Sequence, residues 1–195
     1  MIRKIILTIV IWGAFSLWSF YWIKIYISDI YFKKSQIYLT AEYVDKAQEY
    51  SNKAIKFNPF EPNYYRGRAK VLTVSLVDEK DLGAVKNRIL KDLKKAEKLN
   101  LNNLVTLRNA VPIYYFLAIG DISLTSGILN LDPVYLPVTK EFFKTLKETY
   151  SHDVGVVTLL AKYEKKLGLD AEYLESRKIV ERLRPELLDW HESFR

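Results

Sequence analysis

The chain has 195 residues, 49% of them hydrophobic and 14% aromatic, which is enough apolar material for a packed core and too much for a disordered chain. Glycine (7) and proline (6) are scarce, which argues against a sandwich or barrel that needs a turn every ~8–12 residues, and the absence of cysteine excludes disulfides, thiolate metal sites and thiol chemistry. The net charge of +7 is spread along the chain, as on a solvated helical surface; its sharper reading is a basic face for anionic lipid headgroups or an acidic partner.

The first element is apolar throughout. Ile5 to Ile23 carries no charge, and a spanning helix needs about 20 mostly apolar residues. Trp18, Tyr21 and Trp22 gather near one end, where amphipathic rings favour the membrane–water boundary, and Arg3 and Lys4 flank the other. Bulky Phe and Trp residues surround Ala14 and no small-x-small cleavage site follows, so the segment reads as an uncleaved signal anchor over residues 1–23, with a soluble domain over 24–195. The bilayer is thus an expected partner through residues 5–23. Lys24, Lys33 and Lys34 nearly balance the positive charge before the span. A short N-terminal flank ahead of a long C-terminal domain places the N-terminus in the cytoplasm and the soluble domain on the extracytoplasmic side of a single-pass membrane protein.

No glycine or proline lies between Gly13 and Ala41, and Ile23, Ile27, Ile30 and Lys34 keep helical spacing across the expected boundary. A jointless helix from about Ile2 to Ala41 follows, about 60 Å long at 1.5 Å per residue. Beyond it, Tyr43, Ala47, Tyr50, Ala54 and Phe57 recur at steps of 4, 3, 4 and 3, and Val85, Ile89, Leu93, Ala96 and Leu99 form a second apolar face. Breakers fall at Asn58-Pro59, Pro62, Asp78–Gly83, Asn100–Asn103, Gly127, Pro133, Pro137, Gly168 and Pro185.

The spacing also repeats at longer range. Tyr31, Ser35, Tyr38, Ala47, Ala54 and Pro59 form one unit; Tyr65 and Ala69 open a second, whose Ala96-Glu-Lys-Leu-Asn echoes Ala54-Ile-Lys-Phe-Asn. A partial third unit lies near Leu104–Gly120, and a fourth runs through Leu160, Ala161, Gly168 and Pro185. In this small–aromatic–Ala–Ala–Pro pattern the chain resembles the tetratricopeptide repeat (TPR) family over most of residues 28–190. The physical basis is that small residues let antiparallel helices approach, aromatics fill the gap and proline ends the second helix. The resemblance implies an all-α fold, an antiparallel helix-hairpin solenoid preceded by one transmembrane helix. It also implies a concave groove for protein–protein interaction, with the stretch Pro185–Arg195, including Trp190, capping the last unit.

Catalytic patterns are missing. His152 and His191 stand alone, His152-Asp153 reads as a helix cap, and no HExxH, GxSxG, Walker or GxGxxG pattern occurs. Lys91–Lys98 reads as the wet face of a helix. No enzymatic activity, metal, cofactor or nucleic-acid partner is expected. In the repeat family the groove is lined by first-helix residues beside the packing positions. Here these are Phe32 and Gln36, then Asn63, Arg66 and Lys70, then Arg108 and Asn109, a set of cations and amides suited to a carboxylate or anionic sugar. The expected function is a membrane-anchored scaffold or adaptor at the cell envelope that binds a protein partner with an acidic segment. The alternative is an accessory subunit of an envelope polysaccharide assembly system, since the repeat region looks like the tails that follow the spans of bacterial O-antigen ligases or polymerases. A pilin-like filament subunit fits poorly, because the apolar run lacks an acidic residue and a glycine-ended leader.

Overall fold

A computed structural model describes residues 2–77, 81–120 and 130–194. Nine helices lie among the described residues: α1 (Ile2–Thr40), α2 (Val44–Phe57), α3 (Pro62–Ser75), α4 (Leu82–Leu99), α5 (Leu104–Ala118), α6 (Tyr135–Thr149), α7 (Val154–Lys166), α8 (Asp170–Leu183) and the short α9 (Leu187–Trp190). No strand occurs among them; Ile119 and Leu131 form one isolated antiparallel bridge. Of the expected breakers, Asp78–Lys80 and Gly127 lie outside the described residues.

The helix starts follow capping chemistry. The side chains of Asp81, Asn103 and Asp153 accept from the backbone N–H groups of Ala84, Thr106 and Val156, and Glu61 accepts from Asn63 ahead of α3, whose first residue is Pro62. Each cap satisfies a donor that the helix cannot, contributing about 1 kcal/mol. Gly168, at φ +67°, ends α7, and the Leu169 N–H returns to the Glu164 carbonyl at 3.0 Å.

Two prolines behave otherwise than their breaker reading. Pro137 sits in the first turn of α6, where the N–H it lacks would have no intrahelical partner. Pro112 lies inside α5, removes the N–H that would reach the Arg108 carbonyl, and yet α5 continues to Ala118. Such a residue costs about 3 kcal/mol in an isolated helix; here Val111 and Ile113 on either side are buried in the core.

α1 runs unbroken across the residue 23/24 boundary, as the spacing predicts, and it changes character there. It is the one helix among the described residues long and apolar enough to cross a bilayer, and none of its most apolar window is buried. Leu17 is 74% exposed, whereas Ser28 and Ser35, further along the same helix, are fully buried. From Ser28 onward the helix packs. α1 pairs with α2, α3 with α4, α5 with α6 and α7 with α8, while α1, α3, α5 and α7 also touch one another in succession. Ring contacts set the direction: Tyr31 meets Phe57 at 5.5 Å and Tyr38 stacks on Tyr50 at 5.2 Å, so α2 runs antiparallel to α1.

The repeat positions sit in these seams. Ala47, Ala54, Ala69 and Ala161 are fully buried, and the Ser35 hydroxyl donates to the Ala47 carbonyl at 2.8 Å, a distance only a small side chain allows. The main core is built from α3 to α7, around Leu72, Ile89, Val111, Leu117, Leu146 and Leu160. A second cluster joins Val157, Ala161 and Val180 to Phe194. Phe194, not the 58% exposed Trp190, thus closes the last hairpin. Tyr43 precedes α2 and is exposed, outside the apolar face predicted for it.

Among the described residues, three cations form ion pairs that reach the interior. Arg68 holds the buried Asp92 with two bonds of 2.7 Å between α3 and α4. Lys86, 1% exposed, donates to the Ile119 carbonyl at 2.5 Å and to Asp132 at 2.7 Å, fastening both ends of the α5–α6 connection to α4. Burial alone would raise the Asp132 carboxyl, but Lys86 and the N–H groups of Val134 and Tyr135 hold it below its usual value. Lys147 of α6 meets Glu164 of α7 and Glu175 of α8, each at 3.0 Å.

Candidate groove between the odd-numbered helices

α1, α3 and α5 lie side by side because small residues occupy their contacts. At Gly67 an added Cβ would stand 2.3 Å from the Phe32 ring and 3.3 Å from the Gln36 amide nitrogen, so no larger residue fits while the Phe32 ring keeps its place. A glycine inside a helix costs about 1 kcal/mol relative to alanine, and the close approach explains its presence. The three helices line a groove of about 430 Å³, formed by Phe32 and Gln36 from α1, by Arg66, Gly67, Lys70, Thr73 and Val74 from α3, and by Asn109, Pro112, Ile113 and Phe116 from α5.

Five of the seven residues singled out from the sequence therefore meet in one place: Phe32, Gln36, Arg66, Lys70 and Asn109. The other two do not. Asn63 is exposed beside the groove, where its Oδ1 accepts from Arg66 at 2.9 Å while its amide donates to Glu61 at 2.7 Å. Arg108 lies on the far side of α5, in a separate cavity of about 320 Å³ formed with the start of α7 and the C-terminal stretch. The physical reason is the helical step: Arg108 and Asn109 are adjacent in sequence and point about 100° apart on α5. Sequence reasoning missed Gly67, Thr73, Val74, Pro112, Ile113 and Phe116. All of these but Phe116 lie three or four residues from a named position, so helical spacing could have found them.

The groove carries two cations and no carboxylate among its described walls. Arg66 is half-buried; burial lowers its pKa and Glu61 opposes that shift. A guanidinium remains charged in any such setting. Among the described residues neither Arg66 nor Lys70 forms an ion pair. The Gln36 side-chain nitrogen is buried and has no hydrogen-bond partner. Val74 and Phe116, 44% and 37% exposed, supply apolar surface at the distal end of the groove. The arrangement offers charged and amide donors beside an apolar strip.

A second concavity, between α6, α7 and α8, has a similar volume of about 420 Å³ but a different electrostatic character. Two of its three lysines already have acids: Lys140 pairs with Glu172 at 2.5 Å, and Lys147 with Glu164 and Glu175. No group of three or more His, Asp or Glu side chains among the described residues could hold a metal ion.

No protein-family profile matches the chain. No curated protein sequence matches it.

Proposed function

We propose that the chain is a membrane-anchored, TPR-like scaffold whose groove captures an acidic segment of a partner protein. The repeat reading draws support from the buried small residues at the hairpin seams and from the succession of odd-numbered helices along one wall. The anchor reading draws support from the exposed apolar half of α1, with the soluble domain on the extracytoplasmic side. The observation that carries the ligand class is the carboxylate-free groove in which Arg66 and Lys70 have no ion-pair partner among the described residues and the Gln36 side-chain nitrogen has no hydrogen-bond partner. A carboxylate entering there gains charge-assisted hydrogen bonds, while apolar side chains of the same segment cover Val74 and Phe116.

Binding of acidic peptides to the full chain in lipid nanodiscs, followed by fluorescence anisotropy, tests this. Arg66→Ala and Lys70→Ala each weaken binding by about 1–3 kcal/mol, about five- to a hundred-fold, if the cations hydrogen-bond the ligand. Rising salt weakens it further. Arg108→Ala, outside the groove, leaves it unchanged. Equal binding by the Arg66→Ala/Lys70→Ala double variant would remove the site.

A further inference from the structure

The register between α1 and its neighbours fixes the height of the inter-hairpin loops above the anchor. The Tyr64 hydroxyl donates to Asp29, 35 residues earlier, and the Phe32 and Tyr64 rings meet at 5.1 Å. Gly67 lies between Phe32 and Gln36. α3 therefore runs parallel to α1, each residue level with one about 31–35 positions earlier. Carried back to the α2–α3 loop, this step sets Phe60 level with residues 25–29 of α1. That is two to six residues past Ile23, about 3–9 Å at 1.5 Å per residue. The polar layer on each side of a bilayer is about 5–7 Å thick, from a hydrocarbon core of about 30 Å within a total of about 40–45 Å.

The next loop falls at the same height. Arg68 bonds Asp92 across the α3–α4 hairpin, and because α4 runs back along α3 this pairing sets Leu101, just past the end of α4, level with residue 59. Phe60 and Leu101 are 69% and 72% exposed, and Tyr26 on α1 is 68% exposed. Lys56 and Lys98, in the last turns of α2 and α4, are exposed next to these loops. The nearby Glu61 is engaged at the start of α3, where it accepts from the backbone and side chain of Asn63. Two large apolar side chains on separate loops, each with a lysine beside it, thus lie at the level where α1 leaves its apolar run.

We propose that the α2–α3 and α4–α5 loops are a second membrane contact, with Phe60 and Leu101 seated in the lipid headgroup layer and Lys56 and Lys98 facing its phosphates. This rests on the reading of α1 as a membrane span. The contact pins the repeat domain at two further points, so that α1 cannot rotate about its own axis and the groove keeps one direction relative to the bilayer. Trp18, Tyr21 and Trp22 on α1 and the loop tips then form a single interfacial belt, in which amphipathic and apolar side chains sit beside snorkelling lysines.

The chain has no cysteine, so single-cysteine variants label at one position. Phe60→Cys, Leu101→Cys, Leu17→Cys and Val77→Cys are each labelled with an environment-sensitive fluorophore in the full chain. All four positions are exposed. The proteins are reconstituted into phosphatidylcholine–phosphatidylglycerol vesicles, and quenching by doxyl lipids is compared with quenching by a water-soluble nickel chelate. The expected result is quenching at Leu17 by a mid-chain doxyl lipid, at Phe60 and Leu101 by a headgroup-proximal doxyl lipid, and at Val77 by the chelate alone. Leu17 in the bilayer with Phe60 and Leu101 behaving as Val77 does would overturn the loop contact and leave the anchor standing. Leu17 open to the chelate would overturn the anchor, and the loop contact with it.

Discussion

The first and last full hairpins close on the same device and differ in what it holds. In α1–α2, the buried Ser35 hydroxyl donates across the seam to the Ala47 carbonyl at 2.8 Å; in α7–α8, the buried Ser176 hydroxyl donates to Glu164 Oε2 at 2.6 Å. The two partners lie 12 residues apart in both cases. At the first seam the acceptor is a helix carbonyl already within its own ladder, and the surrounding contacts are rings, Tyr31, Tyr38, Tyr50 and Phe57. At the last seam the acceptor is a carboxylate 1% exposed, shared with Lys147 from a third helix. A neutral seam is satisfied locally and tolerates loss of its serine. A charged seam ties three helices and loses its balance when any member goes.

The sharpest way to break this contrast is Lys147→Met. It leaves Glu164 buried without its cation and should cost about 3–5 kcal/mol, read as a lowered urea midpoint for the full chain in detergent micelles. A loss below that of an ordinary surface substitution would show that Glu164 does not need the lysine. Next comes the paired test of the serines. Ser176→Ala strips a donor from a buried carboxylate and should cost about 1–3 kcal/mol, while Ser35→Ala removes a bond to an already served carbonyl and should cost about 0.5–1.5 kcal/mol. Equal losses would mean that the charge at the last seam adds nothing.

The smallest effect is one of pH. Burial raises the Glu164 carboxyl above its usual 4.5, against the lowering influence of Ser176 and Lys147. The folded state therefore binds this proton more tightly than the unfolded chain does. The corresponding stability is fully present below 4.5 and is lost as pH rises through the raised native value. Across that window the wild type should lose stability relative to Glu164→Gln, which cannot ionise. Parallel thermal midpoints of the two proteins would contradict the raised carboxyl.

Spacing along the chain was enough for the local structure, and the resemblance to the repeat family for part of the groove. Steps of three and four residues identify which face of each helix is apolar, and Ala47, Ala54, Ala69, Ala96 and Ala161 do lie in the seams. The absence of breakers between Gly13 and Ala41 predicts a single first helix, which runs to Thr40. Phe32, Gln36, Arg66, Lys70 and Asn109 could be named in advance only through the resemblance to the repeat family, which implies a groove lined by first-helix residues beside the packing positions, and these five line one cavity.

Tertiary structure decided everything that depends on residues distant in sequence. A lysine on a helix reads as solvated until a partner arrives: Lys86 is buried because Asp132, 46 residues on, and the Ile119 carbonyl come to meet it. Lys147 is buried for the same reason, by Glu164 and Glu175 from two other helices. Gly67 reads as a weak point in α3 until the Phe32 ring is found against it. Arg108 and Asn109 look equivalent until packing turns one into the groove and the other out of it. Periodicity records the side of a helix that must leave water, which each segment's own composition settles. It carries no record of which distant segment will cover that side, because that choice depends on shape and charge across the seam, and these exist only once the helices have met.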